Sequence, residues 1–151
     1  MKNFLLLFCF LFFNLNFAQE IPVPVDQFST FDGRERIISF HADIDVNKNS
    51  GISVTEKIKV HSLGDKIKRG IFRSLPLTRE LNNTVQKVSY NIISVKKNGV
   101  DEDYHEEYED GALLIYFGNK DIILEPGDYD YEIKYTTEKQ IGFFEKYDEL
   151  Y

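Results

Sequence analysis

Apolar and polar residues alternate along much of the chain after residue 35, and a period of two is typical of half-buried β-strands. The alternation begins at Arg36, stops at a turn-forming stretch over residues 47–51, and resumes after it. Two such segments around a short turn predict a β-hairpin. A third alternating segment follows the Glu-Pro-Gly turn at residues 125–127. The apolar faces of the three segments are Ile38, Phe40, Ala42, Ile44 and Val46; Ile52, Val54, Ile58 and Val60; and Tyr129, Tyr131, Ile133 and Tyr135.

Two further segments predict strands, and one predicts a long connection. Val85–Lys97 has the pattern of a single strand whose phase shifts between residues 92 and 93, which predicts a β-bulge or a buried stretch. Ala112–Phe117 is another apolar strand, and turns are expected at the dipeptides Asn98-Gly99 and Asp110-Gly111. Leu63–Asn83 is irregular, so we expect it to cross between two sheets, with room for one short helical turn.

These patterns predict an all-β fold. No stretch keeps the 3.6-residue period of an amphipathic helix. Six to nine short strands separated by frequent turns are typical of a single antiparallel β-sandwich, immunoglobulin-like in its general architecture. We place this domain at residues 34–151. The preceding residues 19–33 contain Pro22 and Pro24, and we interpret them as an extended lead-in or an edge strand.

The first eighteen residues differ from the rest of the chain. Lys2 is their one charged side chain, and Phe4–Phe13 is an unbroken apolar run of ten residues. This combination predicts a signal peptide at residues 1–18, with cleavage between Ala18 and Gln19. A retained N-terminal anchor is the alternative, although the run is shorter than the roughly 20 residues that a transmembrane helix needs. We therefore expect an exported domain on the periplasmic or extracytoplasmic side of a membrane.

Composition excludes several classes of protein. Residues 19–151 contain no cysteine, so disulfide-stapled folds, thiol enzymes and zinc–cysteine sites are not expected there. The same residues carry 17 Lys and Arg against 25 Asp and Glu, a net charge of −8. Because negative charge repels phosphate, we expect no nucleic-acid partner.

One segment matches the ligand positions of a calcium-binding loop. However, Ser50 stands where such a loop has its glycine, and the flanking segments predict strands rather than helices. We interpret the segment as a polar hairpin loop, and we expect no metal and no cofactor. The metal-ligand candidates that remain are Asp45, Asn47, Asn49 and Glu56.

The remaining polar residues indicate no catalytic site. His41, His61 and His105 are not spaced as a metal or catalytic set, and the first two fall on polar strand faces. A ligand pair of His41 with Asp43 is the alternative. The serines lack the flanking glycines of a nucleophile elbow, and no glycine-rich phosphate loop is present. We therefore expect this chain not to be an enzyme.

Two charged clusters have more than one interpretation. Seven of the ten residues at 101–110 are acidic. They fit a solvated hairpin, and the alternative is a docking surface for cations or a basic partner. A basic cluster, Lys66, Lys68, Arg69 and Arg73, lies in the irregular stretch before Pro76.

Glu56 breaks the apolar pattern of its strand. It falls on the face of Val54 and Ile58, which should be interior, and a lone buried carboxylate is costly unless it is paired. Arg73 lies in an apolar stretch and is the natural partner. We predict that Glu56 and Arg73 form a structural pair beneath the long connection. The alternative is that Glu56 lies at the sheet rim and reaches solvent.

Several of these segments, taken together, resemble a known family. The similarity runs from Glu35 to Leu77 and continues in the second half of the chain, in the same order. The motifs are Gly51-Ile-Ser-Val54-Thr-Glu56, Gly70-Ile-Phe-Arg73-Ser-Leu-Pro76, Pro126-Gly-Asp-Tyr-Asp-Tyr-Glu-Ile-Lys-Tyr135, Gln140-Ile-Gly-Phe-Phe144 and Asp148-Glu-Leu-Tyr151. The chain resembles the N-terminal region of predicted bacterial membrane proteins of domain of unknown function 2207.

The resemblance implies an exported β-domain followed by transmembrane segments, without an established activity. Since the family pattern continues past residue 151, it also implies that this chain is a fragment of a membrane-anchored protein. We therefore expect an extracytoplasmic interaction or structural domain, with an unknown protein partner in the cell envelope. The alternative is a soluble exported module that binds cations or a basic partner.

Overall fold

The chain folds into two main antiparallel sheets that pack together through apolar faces. The structure, a computed structural model, describes residues 33–48, 50–81 and 84–151. These residues belong to one compact unit, Asp32–Tyr151. The predicted signal peptide, the cleavage site at Ala18 and Gln19, and the lead-in up to residue 32 lie outside the described residues.

The described part of the chain forms twelve strands. They are β1 Arg36–Val46, β2 Ile52–Ser62, β3 Phe72–Pro76, β4 Thr78–Leu81, β5 Thr84–Lys87, β6 Tyr90–Lys97, β7 Val100–Asp101, β8 Tyr104–Glu109, β9 Ala112–Phe117, β10 Gly127–Thr137, β11 Ile141–Phe143 and β12 Asp148–Leu150.

The strands assemble into two main sheets and two separate hairpins. The larger sheet has five strands in the order β1-β2-β10-β6-β7, and the smaller has three in the order β3-β9-β8. The hairpins are β4-β5 and β11-β12. Every pair of neighbouring strands is antiparallel.

The core lies between the two sheets and confirms the predicted fold class. Alternate residues of β2 and β10 face the smaller sheet, and alternate residues of β9 face back. Val60, Ile115 and Ile133 are completely buried at the centre. The chain is therefore all-β and antiparallel, with its sheets layered as a sandwich that is not closed at the β1 side.

The predicted turns and the predicted bulge are confirmed. Asn98 and Gly99 both have positive φ, as do Asp110 and Gly111, which is the geometry of type I′ hairpin turns. In β6, the pairing with β10 shifts register between residues 92 and 94, so residue 93 is bulged.

The prediction of one strand over Val85–Lys97 is wrong. The chain forms β5 and β6 instead, separated by Val88 and Ser89. Val88 is buried, and its N–H donates to the carbonyl oxygen of Leu77 at 2.8 Å. The polypeptide thus leaves the β4-β5 hairpin and enters the five-stranded sheet at a point where local alternation shows no break.

The expectation for Leu63–Asn83 is partly confirmed. The segment crosses from β2 in the larger sheet to β3 in the smaller one, as predicted. Its second half forms β3 and β4 rather than an irregular connection or a helical turn. These short strands were missed because they show too few alternating residues to produce a pattern.

The predicted burial of the apolar face of β1 is also wrong. Phe40, Ile44 and Val46 are 51%, 44% and 59% exposed. The smaller sheet is two strands narrower than the larger one, and its edge strand β3 contacts β2 through Arg73 and Glu56. It therefore ends before it covers β1. We call Phe40, Ala42, Ile44 and Val46 the β1 inner face.

Candidate functional site

A groove lies where β1 and β2 extend beyond the edge of the smaller sheet. Its volume is about 370 Å³, and its apolar walls come from strands of both sheets. We call it the β1 groove. Its walls include Phe40, Ala42, Ile44, Ile52, Val54 and Leu75.

The floor of the β1 groove contains a buried ion pair. Glu56 is 3% exposed. Arg73 Nε donates to Glu56 Oε2 at 2.6 Å, and Arg73 Nη2 donates to Glu56 Oε1 at 3.0 Å. The structure thus brings together the two residues that the sequence predicted as a pair.

Tyr135 is a third member that the sequence analysis missed. Its hydroxyl donates to Glu56 Oε1 at 3.0 Å. The sequence pattern could have indicated this contact. The alternation of β10 places Tyr135 on the same inner face as Ile133, and Ile133 pairs with Glu56. Burial raises the pKa of Tyr135, and the neighbouring Glu56 carboxylate raises it further.

Arg73 connects the two sheets. Its hydrogen bonds to Glu56 raise its pKa, and burial only partly offsets this effect. Arg73 Nη1 donates to the carbonyl oxygen of Ser74 at 3.1 Å, and its guanidinium carbon lies 5.7 Å from the centre of the Phe40 ring. One side chain therefore reaches β2 and β1 from β3. The Glu56 carboxylate accepts three hydrogen bonds, so it acts as a fixed link between sheets rather than as a free base.

Two more polar side chains line the groove. The Tyr90 hydroxyl donates to the carbonyl oxygen of Pro76 at 2.9 Å, and its ring meets that of Tyr135 edge-on at 5.7 Å. Burial raises the pKa of Tyr90. The guanidinium of Arg79 lies over the ring of Tyr151 at 4.6 Å. These contacts hold the groove's rim in place.

The metal-ligand candidates do not come together. Asp45 pairs with Ser53 on the outer face of the larger sheet, whereas Glu56 faces inward and is bound by Arg73. Asn47 closes the hairpin turn through its backbone, and Asn49 lies outside the described residues. Within the described ranges, no group of three or more His, Cys, Asp and Glu side chains could hold a metal ion.

The histidines occupy three separate places. His41 Nε2 lies 2.9 Å from Asp43 Oδ1, so the proposed ligand pair is in contact, on an exposed strand face. His61 is buried rather than on the surface, and its Nδ1 lies 2.6 Å from Asp128 Oδ1 on the neighbouring strand. His105 stacks on the ring of Tyr116 at 4.8 Å.

The two charged clusters differ in their surroundings. All six residues of β8, within the acidic stretch 101–110, are exposed. Lys97 Nζ donates to Glu102 Oε1 at 2.8 Å, and His105 Nε2 lies 3.6 Å from Glu107 Oε1, whose side chain stays exposed. Most of the basic cluster lies in the connection between β2 and β3, which is held by the carboxylate of the residue just before β1.

That carboxylate is Glu35, which the sequence analysis did not single out. Backbone N–H groups of four residues in the connection donate to it. Burial raises its pKa, but these hydrogen bonds outweigh burial and lower the pKa from 4.5 to about 2. No local signal could have found this contact, because the donors lie about thirty residues further along the chain. They are Leu63, Asp65, Lys66 and Ile67.

Comparison with known proteins places the chain in a family without an assigned activity. The N-terminal domain of the family described as predicted membrane protein (DUF2207) matches residues 36–151. Among the described residues, no helix is long and apolar enough to cross a membrane.

A curated relative and a solved structure show what this chain is similar to. The uncharacterised protein YciQ of Escherichia coli strain K12 is 28% identical over 125 residues, which are 82% of this chain and 19% of that protein. The chain thus spans about a fifth of this relative's length. The structure of native yeast LTA4 hydrolase matches with a TM-score of 0.50 and 13% identity, over 72% of this chain and 15% of that chain, a likeness of fold alone. The match over residues 36–151 shows that the chain belongs to the DUF2207 family of predicted membrane proteins, as part of its N-terminal domain.

Proposed function

We propose that this chain is an extracytoplasmic interaction domain of a membrane protein. Its contact surface is the side of the sandwich that is not closed, where the β1 inner face is exposed; we call it the open side. The observation that carries the proposal is the exposure of the β1 inner face beside the β1 groove. Contiguous exposed apolar surface on a folded domain marks interaction sites. The partner is an unknown protein of the cell envelope.

The chemistry of the groove supports binding rather than catalysis. Its one buried carboxylate, Glu56, is bound by Arg73 and Tyr135. A general base must be free to accept a proton from a substrate. The apolar walls of the β1 groove therefore suit binding, and the ion pair at its floor links the two sheets.

The proposed location rests on the leader and on the family. Residues 1–18 have the composition of a secretory signal peptide, and the family is described as a predicted membrane protein. We propose that the full-length protein is anchored in the membrane by segments outside this chain.

Site-specific photo-crosslinking in the membrane tests the contact surface. A photoreactive phenylalanine analogue replaces Phe40 in the full-length protein, and the matched control carries it at Tyr104, an exposed aromatic residue of β8. We expect a crosslinked product from position 40 and none from position 104. Equal crosslinking at both positions, or none at position 40, would overturn the proposed surface.

Cysteine labelling tests the location. Asp121 lies in an exposed loop, and the chain after residue 18 has no cysteine of its own. In spheroplasts that express full-length protein carrying Asp121→Cys, a membrane-impermeant maleimide is expected to label it before lysis. Labelling that appears only after lysis would place the domain in the cytoplasm and refute the location.

A second candidate is a soluble exported module that binds cations or a basic partner through residues 101–110. The complete exposure of β8 favours it, because the carboxylates of Glu106, Glu107 and Glu109 are all accessible. Calorimetric titration with Ca²⁺ and with polylysine tests it, with the three glutamates changed to glutamine as the control. Binding by the parent chain that the variant loses would support this candidate.

A further inference from the structure

We propose that the partner at the open side is a second copy of this chain, whose β1 strand pairs antiparallel with the first around Ala42. This inference rests on the proposed function, because it names the partner of the same surface. It joins two five-stranded sheets into one continuous sheet of ten strands.

The first support is an edge that has few of the usual protections against pairing. In the described part of the chain, β1 pairs with β2 alone. Proteins commonly protect edge strands with short length, charged side chains (lysine above all), proline, bulges or inward-facing charges. The charged residues of β1 are Arg36, Asp43 and Asp45, and both aspartates lie on the outer face. β1 is eleven residues long, contains neither lysine nor proline, and is regular from Ser39 to Val46, since its one bulge lies before Ser39.

The second support is the direction of the backbone groups. The N–H of Asn47 donates to the carbonyl oxygen of Gly51 at 2.8 Å, which closes the hairpin between β1 and β2. In an antiparallel pair, hydrogen-bonded positions alternate along the strand. Odd-numbered residues from 39 to 45 therefore bond to β2. Phe40, Ala42 and Ile44 direct their N–H and C=O groups outward to the free edge.

The third support is self-complementarity in one register. With Ala42 opposite Ala42 of the second copy, Phe40 lies opposite the second Ile44 on the inner face. On the other face, His41 lies opposite the second Asp43, and Ser39 opposite the second Asp45. Phe40 with Ile44 is an aromatic–aliphatic pair, His41 with Asp43 is charge-compatible, and Ser39 with Asp45 can form a hydrogen bond. Cross-strand pairs of these kinds stabilise sheets.

Neighbouring registers are less favourable. Centring the pair on Asp43 sets two carboxylates directly opposite each other, which is destabilising. Centring it on His41 sets two imidazoles together and separates them from Asp43 of the second copy. In the Ala42 register, His41 keeps its own Asp43 at 2.9 Å and gains a second carboxylate across the edge.

The same register suits the charge on β2. Lys57 Nζ lies 3.3 Å from Asp43 Oδ2, so within each copy a lysine of β2 already offsets the negative charge of that carboxylate. Pairing around Ala42 therefore brings together His41, Asp43 and Lys57 of both copies with no carboxylate directly opposite another. This charge complementarity identifies a second copy as the occupant of the edge.

Analytical ultracentrifugation of the purified 151-residue chain tests the dimer. We expect a reversible monomer–dimer equilibrium. Ala42→Pro removes an outward N–H without touching the β1–β2 hydrogen bonds, and it should weaken dimerisation at least about tenfold through the loss of two hydrogen bonds across the two-fold axis. Ala42→Val keeps the N–H and should dimerise like the parent chain. A parent chain that stays monomeric at its highest soluble concentration would overturn the proposal, as would an Ala42→Pro variant that dimerises like the parent.

Oxidative crosslinking tests the register. With Cys9 changed to Ser, Ala42→Cys brings two thiols to the two-fold axis, where Cα atoms about 5.5 Å apart suit a disulfide. Ser39→Cys lies far from its own equivalent in this register and serves as the control. We expect a disulfide-linked dimer from position 42 only. A dimer linked equally well from position 39 would refute the Ala42 register.

The photo-crosslink at Phe40 separates the two proposals. A product with twice the mass of the protein supports the second copy. A product that contains a different envelope protein overturns the dimer and leaves the proposed function in place. The absence of any product at Phe40 overturns both.

Discussion

At the scale of single residues, three side chains form a buried polar contact between the two sheets. Glu56, Arg73 and Tyr135 come from β2, β3 and β10, so their hydrogen bonds tie the smaller sheet to the larger one. A buried ion pair of this kind adds little net stability over apolar residues, but breaking it is costly because one charge remains buried alone.

Removing the cation alone should therefore be more damaging than removing the pair. We expect Arg73→Met to lower the free energy of unfolding by about 3 kcal/mol, because it leaves the Glu56 carboxylate buried without its partner. The double variant Glu56→Leu with Arg73→Met should recover most of this loss, apart from the Tyr135 hydroxyl, which loses its acceptor. Urea denaturation measures both. A double variant no more stable than Arg73→Met would contradict this explanation.

Glu35 should make stability depend on pH in the acidic range. Its pKa is lowered from 4.5 to about 2 in the folded chain, so the folded state favours the carboxylate form. This contribution is fully present above pH 4.5 and is lost as the pH falls from 4.5 towards 2. We expect Glu35→Gln to lower the melting temperature at pH 7 and to change it much less near pH 2.

Thermal unfolding followed by circular dichroism at the two pH values measures this difference. Glu145→Gln, at an exposed carboxylate near the end of the chain, is the matched control and should have little effect at either pH. An equal loss for Glu35→Gln at pH 2 and pH 7 would show that the carboxylate charge is not responsible.

At the scale of elements, the connection between β2 and β3 depends on a close backbone contact with the end of β9. Gly70 has a φ of 134°, and the N–H of Phe117 donates to the carbonyl oxygen of Ile71 at 2.9 Å. A Cβ atom at Gly70 would lie 1.8 Å from the carbonyl oxygen of Phe117. Only glycine fits at this position, and the contact fixes where the chain enters the smaller sheet.

Gly70→Ala should consequently lower the free energy of unfolding by more than about 3 kcal/mol, because it adds a backbone clash to an unfavourable φ. Gly111 is the matched control, since its φ of 76° is also positive but a methyl group there would meet no atom within 4 Å beyond its chain neighbours. Gly111→Ala should cost about 1 kcal/mol from its φ alone. Urea denaturation of both variants measures the difference, and similar losses would contradict the clash.

At the scale of the whole molecule, the unequal width of the two sheets determines which apolar residues are buried. The five-stranded sheet extends beyond the three-stranded one on the β1 side, and the β1 groove lies at that step. Ile44 and Ile58 illustrate the result, since both belong to alternating apolar faces, but Ile44 is 44% exposed and Ile58 is 5% exposed.

The two isoleucines should respond very differently to truncation. At low protein concentration, where the chain is monomeric, Ile58→Ala should lower the free energy of unfolding by about 3 kcal/mol through lost burial and a cavity. Ile44→Ala should cost less than about 1 kcal/mol, as surface substitutions do. Chemical denaturation measures both. Comparable losses would mean that the β1 inner face is covered in the monomer.

Local sequence patterns were sufficient to predict the fold class, the turns at Asn98-Gly99 and Asp110-Gly111, a bulge or buried stretch in β6, and the partnership of Glu56 with Arg73. Each follows from local chemistry: side chains that alternate in polarity, residues that tolerate positive φ, and the cost of a lone buried charge. These are properties of short segments, and a single sequence displays them directly.

The remaining features depend on how the two sheets pack. Whether the face of Phe40 and Ile44 is buried depends on how far a second sheet extends, which no alternation within β1 encodes. Contacts such as Glu35 with the connection after β2, or Gly70 with Phe117, join segments about thirty to fifty residues apart. Their partners are brought together by the packing of the sheets, so the edge at β1 and the groove beside it become visible only when both sheets are in place.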